Sequence, residues 1–421
     1  MRALKYSGVE WIGDIPSDWN IIKIGNQYTE RKTKVSDKDY PPLSVTMKGV
    51  VPQLANAAKT DAHDDRKLVC VGDFAINSRS DRRGSCGISE YDGSVSLINT
   101  ILAPRDKMNP KYYNWLFHST MFSDEFYKWG HGIVNDLWTT NWQDMKHIAI
   151  PDPPLSEQER IADFLDRKCA EIDTVIEKTK ATIEEYKKLK QSVITEAVTK
   201  GIRGDCAMKD SGIEWIGNIV DGFSIIKLKH LLKDPLMYGA NETGVTFDEN
   251  LPRYIRITDI TMDGKLKDTG KLSLTEDAAE NYILQNNDVL FARSGASVGK
   301  AFIYKETYGR SAFAGYLIKA SIGEKLLADY LFFYTQSSLY EEWKKQIFVQ
   351  ATIQNIGADR YNILPVVLGS IEEQQEIVNY LEIKCAEIDK LIADKTHLLD
   401  EMESYKKSVI YEYVTGKKEV M

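Results

Sequence analysis

From Leu165 onward, apolar residues fall into two interleaved rows with a spacing of seven. One row holds Leu165, Ile172, Thr179, Tyr186 and Val193, and the other Cys169, Ile176, Ile183 and Ala197. The pattern returns near the C-terminus, with Leu381, Ile388, Met402 and Val409 in one row and Cys385, Ile392, Leu399 and Tyr413 in the other. Two apolar rows of this period form the seam of a coiled coil. Charged runs such as Glu184–Lys190 take the outer faces, where i,i+4 pairs support a helix. Each helix is predicted to run about 40 residues, or roughly 60 Å. Ser156 and Ser370 are each followed three positions later by Glu159 or Glu373, which is capping-box spacing. Pro151, Pro153 and Pro154 mark the boundary ahead of the first helix. A whole globular segment separates the two helices, so they are free to pair antiparallel within the chain.

Elsewhere the periods are short. Val69–Ser80 and Asn286–Tyr304 are brief apolar runs broken by Gly, Asn, Asp and Ser, as strands and turns are. Tyr112–Trp129 and Ala328–Ile347 are aromatic-rich and read as helices. Each globular part is therefore expected to be α+β.

The two halves repeat. SGVEWIGDI at Ser7–Ile15 returns as SGIEWIGNI at Ser211–Ile219, and NIIKI at Asn20 as SIIKL at Ser224. EQERIADFLDRKCAEIDTVI from Glu157 returns 216 positions on as EQQEIVNYLEIKCAEIDKLI from Glu373, and QSVITEAVTKG from Gln191 as KSVIYEYVTGK from Lys407. Between these blocks the halves differ greatly. The chain thus reads as two tandem units of one frame with different contents. The shared hexapeptide KCAEID puts Cys169 and Cys385 in the seam, where free cysteines act as small apolar residues, with its Lys, Glu and Asp expected outward as docking charges.

Composition narrows the class. The 421 residues, 43% hydrophobic and 28% charged, suit two to three soluble domains. No apolar run approaches the about 18 residues of a membrane span, and the N-terminus lacks a signal-peptide core, so a cytoplasmic setting is expected. Five cysteines without a C-x-x-C favour neither disulfides nor zinc. A net charge of −8 argues against indiscriminate coating of nucleic acid but permits a local basic face.

Fragments that look catalytic fail on inspection. DPPL at Asp152–Leu155 resembles the D-P-P-aromatic motif of amino methyltransferases, yet Leu155 replaces the stacking aromatic and no Gly-rich cofactor turn precedes it. GASVGKA at Gly295–Ala301 is one residue short of a phosphate loop and lacks its hydroxyl. The histidines have no ligand or triad spacing. No catalytic centre and no metal site are expected. What remains is basic and polar. NSRSDRRGS at Asn77–Ser85 carries Ser78, Arg79, Arg82 and Arg83 against Asp81, and its counterpart FARSGASVGK carries Arg293, Ser294 and Lys300. A later stretch offers Asn135, Thr139 and Asn141, matched in position by Gln350, Thr352 and Gln354. Arg suits bidentate contact with guanine, Asn and Gln suit adenine, and Ser suits phosphate. These residues are the candidate DNA contacts; the competing reading is that they are solvated turns.

SGVEWIGDIPSDW, PLSEQERIADFLDRKCAEID, AVTKG and the C-terminal copies together resemble the specificity subunit of type I restriction–modification systems, across essentially the whole chain. GSIEEQQ in place of PLSEQE and NIVDGF in place of DIPSDW depart from the pattern at junctions. The resemblance implies an α+β fold with two target-recognition domains, residues 1–150 and 205–366. It also implies a pair of long antiparallel coiled-coil helical regions, residues 151–204 and 367–421, in a pseudo-twofold internal repeat. The seam residues Leu165, Cys169, Ile172, Ile176, Ile183, Leu381, Cys385, Ile388, Ile392 and Leu399 would then serve as spacer and partner surface. The implied function is non-catalytic reading of a bipartite, asymmetric double-stranded DNA site. The chain would position two modification subunits, which use S-adenosylmethionine to methylate adenine N6. Two restriction subunits, ATP- and Mg-dependent translocases, would complete the nuclease form. No cofactor is expected in the chain itself, and the isolated chain is expected to bind DNA weakly. The rival readings are a coiled-coil interaction protein without a DNA role and a catalytic DNA methyltransferase.

Overall fold

A computed structural model describes residues 2–53, 64–105, 107–132, 138–204, 206–261, 264–348 and 354–420. The chain forms two compact units, residues 1–180 with 397–421, and residues 181–396. Two long helices, Leu155–Lys200 of 46 residues and Ile371–Val414 of 44, contribute to both.

In the first unit, an antiparallel four-stranded sheet has the order Cys86–Ile88, Phe74–Asn77, Asn99–Pro104, Tyr28–Glu30. A three-stranded sheet orders Gly93–Val95, Arg66–Val69 and Lys34–Val35. Helices Pro110–His118 and Thr120–Lys128 pack an aromatic core of Tyr28, Phe74, Tyr113, Phe117 and Phe122 against the first sheet. The stretch 112–129, expected to be helical, forms two helices. Ser119 ends one and caps the next, its Oγ donating to the Leu116 carbonyl and accepting the Phe122 N–H.

Among the described residues the second unit has two four-stranded sheets, the first ordered Met237–Tyr238, Leu317–Ala320, Val289–Ala292, Ala301–Ile303. The second four-stranded sheet contains a parallel pair, Arg253–Ile255 with Ser311–Phe313. Helices Ala328–Tyr334 and Ser338–Phe348 again divide one expected helix, with Ser337 bonded to Tyr334 and Tyr340 as Ser119 is to its neighbours.

In both units a strand delivers the chain to a long helix. Ala149–Asp152 pairs antiparallel with Asn20–Lys23, and Pro365–Leu368 with Ser224–Lys227. Gln158, buried in the first turn, accepts the Asn109 N–H and donates to the Pro153 carbonyl. Gln374, 216 positions on, accepts the Leu327 N–H and donates to the Gly369 carbonyl. Ser370 caps the second long helix as expected, with Glu373 reaching back to its N–H. Ser156 does not cap the first. That helix starts at Leu155, and the Pro154 carbonyl accepts from Glu157 and Gln158, because Pro153–Pro154 hold the extended backbone up to the helix start.

Within each unit the long helices run antiparallel. In the first, Phe164 lies 4.3 Å from the Tyr413 ring while Asp173 pairs with Lys406 at 2.6 Å. In the second, Lys190 pairs with Asp389 at 2.7 Å and Arg203 with Glu376 at 2.7 Å. Leu165, Cys169, Ile172, Ile176, Thr179, Ile183, Ala197, Leu381, Cys385 and Ile388 are buried in the seam. Ile392 and Leu399 are only half-buried. The register sets them level with Lys187 and Lys180, whose side chains pair with Glu184 and Glu177 of their own helix.

Candidate nucleic-acid interface

The strand Phe74–Asn77 leaves its sheet through residues 78–85 and returns as Cys86–Ile88, with a 3-10 turn at Ser80–Arg82 and Gly84 at φ +73. The segment 138–140 is laced to this loop. Thr140 N–H donates to the Ser78 carbonyl and Ser80 N–H to the Trp138 carbonyl, each at 3.0 Å. The two polar stretches singled out separately in the sequence are therefore neighbours. Arg79 lies 3.2 Å from Asp81, and the 68% exposed Arg82 lies 3.7 Å from the same carboxylate. Arg83 pairs with Asp124 at 3.1 Å and sits 4.9 Å over the Tyr127 ring. Thr139 is half-buried beside them. Asn141, itself exposed, caps the short helix Trp142–Met145, its side-chain Oδ1 accepting the Gln143 N–H. Asn135 lies outside the described residues. Ser78 is a correction. Its side chain is buried and its hydroxyl is bonded to Thr100 Oγ1 at 2.9 Å, because residue 78 still follows the inward alternation of the strand.

The second unit builds the same constellation with other residues. Val289–Ala292 leaves its sheet through a 3-10 turn at Gly295–Ser297 and returns as Ala301–Ile303. Ile356 N–H donates to the Arg293 carbonyl at 2.9 Å, and Ser294 bridges to Asn355. The Arg293 guanidinium lies 4.9 Å over Tyr238, whose hydroxyl accepts the Ala358 N–H. Arg293 Nε is buried without a partner among the described residues. Ser294 is half-buried and Gln354 is exposed. Gln350 and Thr352 lie outside the described residues. Burial and the nearby Lys267 and Lys344 lower the pKa of Lys300 below the ordinary lysine value.

Each loop thus offers an arginine stacked on a tyrosine. The ring holds the guanidinium plane, so its fork of donors is presented with little further loss of rotamer freedom. Tyr127, Tyr238 and Asp124 were not evident in the sequence, since no spacing rule ties a helix or a distant strand to a hairpin tip. Among the described residues no cluster of His, Cys, Asp and Glu could hold a metal ion. Burial pushes the thiols of Cys169 and Cys385 up to about 11 and that of Cys86 up to about 12, which removes them as nucleophiles. No helix among the described residues is long and apolar enough to cross a membrane.

The helices offer a second surface. Val175 and Tyr405 are exposed in the first unit, and Leu189 and Leu391 in the second. The antiparallel register brings each pair to one level. The four occupy one heptad position, and Leu391 and Tyr405 lie 216 residues after Val175 and Leu189. The KCAEID charges divide. Lys168 and Glu171, like Lys384 and Glu387, form outward i,i+3 pairs. Asp173 and Asp389, expected outward, instead reach Lys406 and Lys190 on the opposite helix, because each flanks the seam one residue after a buried isoleucine.

Each unit is an α+β fold that packs on its own stretch of the long helices and presents a basic hairpin loop, which defines a repeated scaffold class. The family model for the type I restriction modification DNA specificity domain matches residues 16–185 and 246–398, and the chain belongs to that family. It is 23% identical over 427 residues to the type I restriction enzyme MjaVIII specificity subunit of Methanocaldococcus jannaschii, across 96% of this chain and 93% of the relative. It is 24% identical over 278 residues to the EcoKI specificity subunit of Escherichia coli, across 64% of this chain and 57% of that one. A chain solved in work on complex assembly and conformational transition of the type I R-M system superposes with a TM-score of 0.74 at 14% identity, covering 96% of this chain and 99% of that chain. The HsdS subunit of Thermoanaerobacter tengcongensis gives 0.50 at 15%, covering 96% and 98%. At these identities the two structures bear on the fold alone.

Proposed function

We propose that this chain is the non-catalytic specificity subunit of a type I restriction–modification system. It reads a bipartite, asymmetric double-stranded DNA site. The observation that carries this reading is the matched constellation of basic loop and polar segment, at 78–80 with 138–140 and at 293–294 with 355–356, made from unlike residues. One frame with two different contents suits two unlike half-sites. Residues 1–150 and 205–366 are the target-recognition domains. Residues 151–204 and 367–421 form the pseudo-twofold helical frame that fixes the half-site gap. Arg79, Arg82, Arg83, Arg293 and Lys300 lead the DNA contacts, with Thr139, Asn141, Ser294 and Gln354 beside them. Asn135, Gln350 and Thr352 complete the assignment at the sequence level. The internal surface repeat of Val175 with Tyr405 and Leu391 with Leu189 supports docking of two copies of a modification subunit, which carries S-adenosylmethionine. Restriction subunits with ATP and Mg join that assembly in the cytoplasm.

Copurification with an adenine methyltransferase partner, followed by mapping of methylated sites, tests this reading. A bipartite motif with a fixed gap is expected, and methylation without sequence preference would overturn it. Matched insertion of one heptad in both helices adds about 10 Å, or about three base pairs at 3.4 Å each. The gap should lengthen accordingly.

A further inference from the structure

The second unit contains a cleft of about 670 Å³ that the reading loop alone does not account for. Five lysines from three parts of the unit line it: Lys187, Lys188 and Lys190 from the first long helix, Lys300 from the hairpin, and Lys344 from the helix Ser338–Phe348. They face three carboxylates, Glu184, Glu341 and Asp389, so the cleft is net positive in a chain whose net charge is −8. Each carboxylate holds one lysine, at 2.7 Å in all three cases: Lys187 with Glu184, Lys190 with Asp389 and Lys344 with Glu341. Lys188 is exposed, and Lys300 is half-buried in the same lining.

The wall around Lys344 is shaped for it. Gly299, at φ +83, leaves room for the lysine stem, since a Cβ there would stand 2.4 Å from Lys344 Cδ. The ammonium lies 5.3 Å over the Tyr340 ring, and the side chain is 15% exposed. Burial lowers the pKa of Lys300, and the like charges of Lys267 and Lys344 add to that effect. The net positive charge of the lining favours an anionic occupant. The cleft is also continuous with the reading loop, because Lys300 closes the hairpin that Arg293 opens, with Ala292 N–H donating to the Lys300 carbonyl.

We infer that this cleft binds phosphodiester groups of one DNA strand in the sequence-neutral gap beside the second half-site. The inference rests on the DNA-reading function proposed above and extends it from the loops to the helices. The long helix then holds the backbone of the gap DNA in addition to spacing the domains. At the matching positions the first unit keeps Lys406 for Lys190 but loses the other lysines compared here. Residues 216 after Lys187 and Lys188 are Glu403 and Ser404, and the loop counterpart of Lys300 is Ser85. The gap contact is therefore made from one side.

The test uses the complex with its modification subunits and a duplex carrying the mapped site. Lys188→Gln with Lys344→Gln should weaken binding about tenfold and flatten the plot of log affinity against log salt by about two, at roughly 0.9 per phosphate contact. The loss should be equal for the cognate duplex and for duplexes with altered half-sites. Methylphosphonate substitution of gap phosphates should weaken the wild type and leave the double variant unaffected. An unchanged salt slope in an assembled variant overturns the inference. So does competition by a nucleoside triphosphate at the cleft combined with indifference to methylphosphonates, which would make it a free-nucleotide site. If the wild-type complex shows no site-selective DNA binding at all, the functional reading itself fails, and that outcome is distinct.

Discussion

The two hairpin loops share a backbone and differ in almost every side chain that points outward. Residues 77–85 and 292–300 each carry one 3-10 turn and a glycine at positive φ in equivalent places, Gly84 and Gly299, the second adding Gly295, and each is laced to a second segment by backbone hydrogen bonds. The charges, however, are redistributed. The first loop places Arg79, Arg82 and Arg83 around Asp81 and Asp124, whereas the second has Arg293 over Tyr238 and Lys300 in a lysine cleft. A frame held by main-chain bonds tolerates replacement of its side chains, because amide pairing does not depend on residue identity. The long helices show the opposite behaviour. There the side chains themselves are the frame, so Cys169 and Cys385, Asp173 and Asp389, and Gln158 and Gln374 recur at one spacing.

That contrast can be broken most severely in the seam. Leu165→Ala and Leu381→Ala remove fully buried side chains and should each cost about 2–5 kcal/mol. Urea unfolding of the purified variants should give similar losses for the two. A loss below about 1 kcal/mol at one site would show that the seam is not equivalent there.

The loops come next. Arg83→Ala and Arg293→Ala should each weaken discrimination at one half-site by about 1–3 kcal/mol while assembly is unchanged. Motif mapping after methylation would show each variant relaxed in a different half. Relaxation of the same half by both would contradict one loop per half-site.

Acid should separate the units. His118 is half-buried, with Nδ1 bonded to the Asn114 carbonyl and Nε2 3.7 Å from Cys86 Sγ, and desolvation lowers its pKa below 6.5. The unfolded chain then takes up a proton that the folded unit refuses. The neutral-His stabilisation is present above about pH 6.5 and is lost as pH falls below it, at up to about 1.4 kcal/mol per unit. In the second unit the matching position after its aromatic helix is Gln336, which does not titrate. Hydrogen exchange at pH 7.5 and 5.5 should show greater loosening of the first unit, and His118→Gln should remove the difference.

The smallest effect is expected at the ion pairs that close KCAEID. Asp173→Ala and Asp389→Ala break contacts to Lys406 and Lys190 that are about half exposed on the aspartate side, so each should cost under about 1 kcal/mol. Equal small shifts in urea midpoint would support a frame used twice, and a large shift at one site alone would argue for a special role there.

Much of the frame was legible without coordinates. The seven-residue rows located both long helices, the repeated blocks fixed which residues correspond, and alternation with turn residues marked the hairpins. These are local or periodic signals, and each follows from backbone geometry over a few residues. Ser370 was readable as a cap, but Ser156 was not, because the adjacent prolines reset where that helix begins. Ser78 was misplaced because a serine in a loop-like string can still occupy an inward strand position. The tertiary structure alone decided that Arg293 lies on Tyr238, 55 residues earlier in sequence, that Arg83 lies on Tyr127, and that lysines from positions 187, 300 and 344 line one cleft. It also turned Asp173 and Asp389 toward the opposite helix. Periodicity tells which face of an element is buried, but the partner on the other side of that face is set by packing between distant segments, and no spacing within the sequence encodes it.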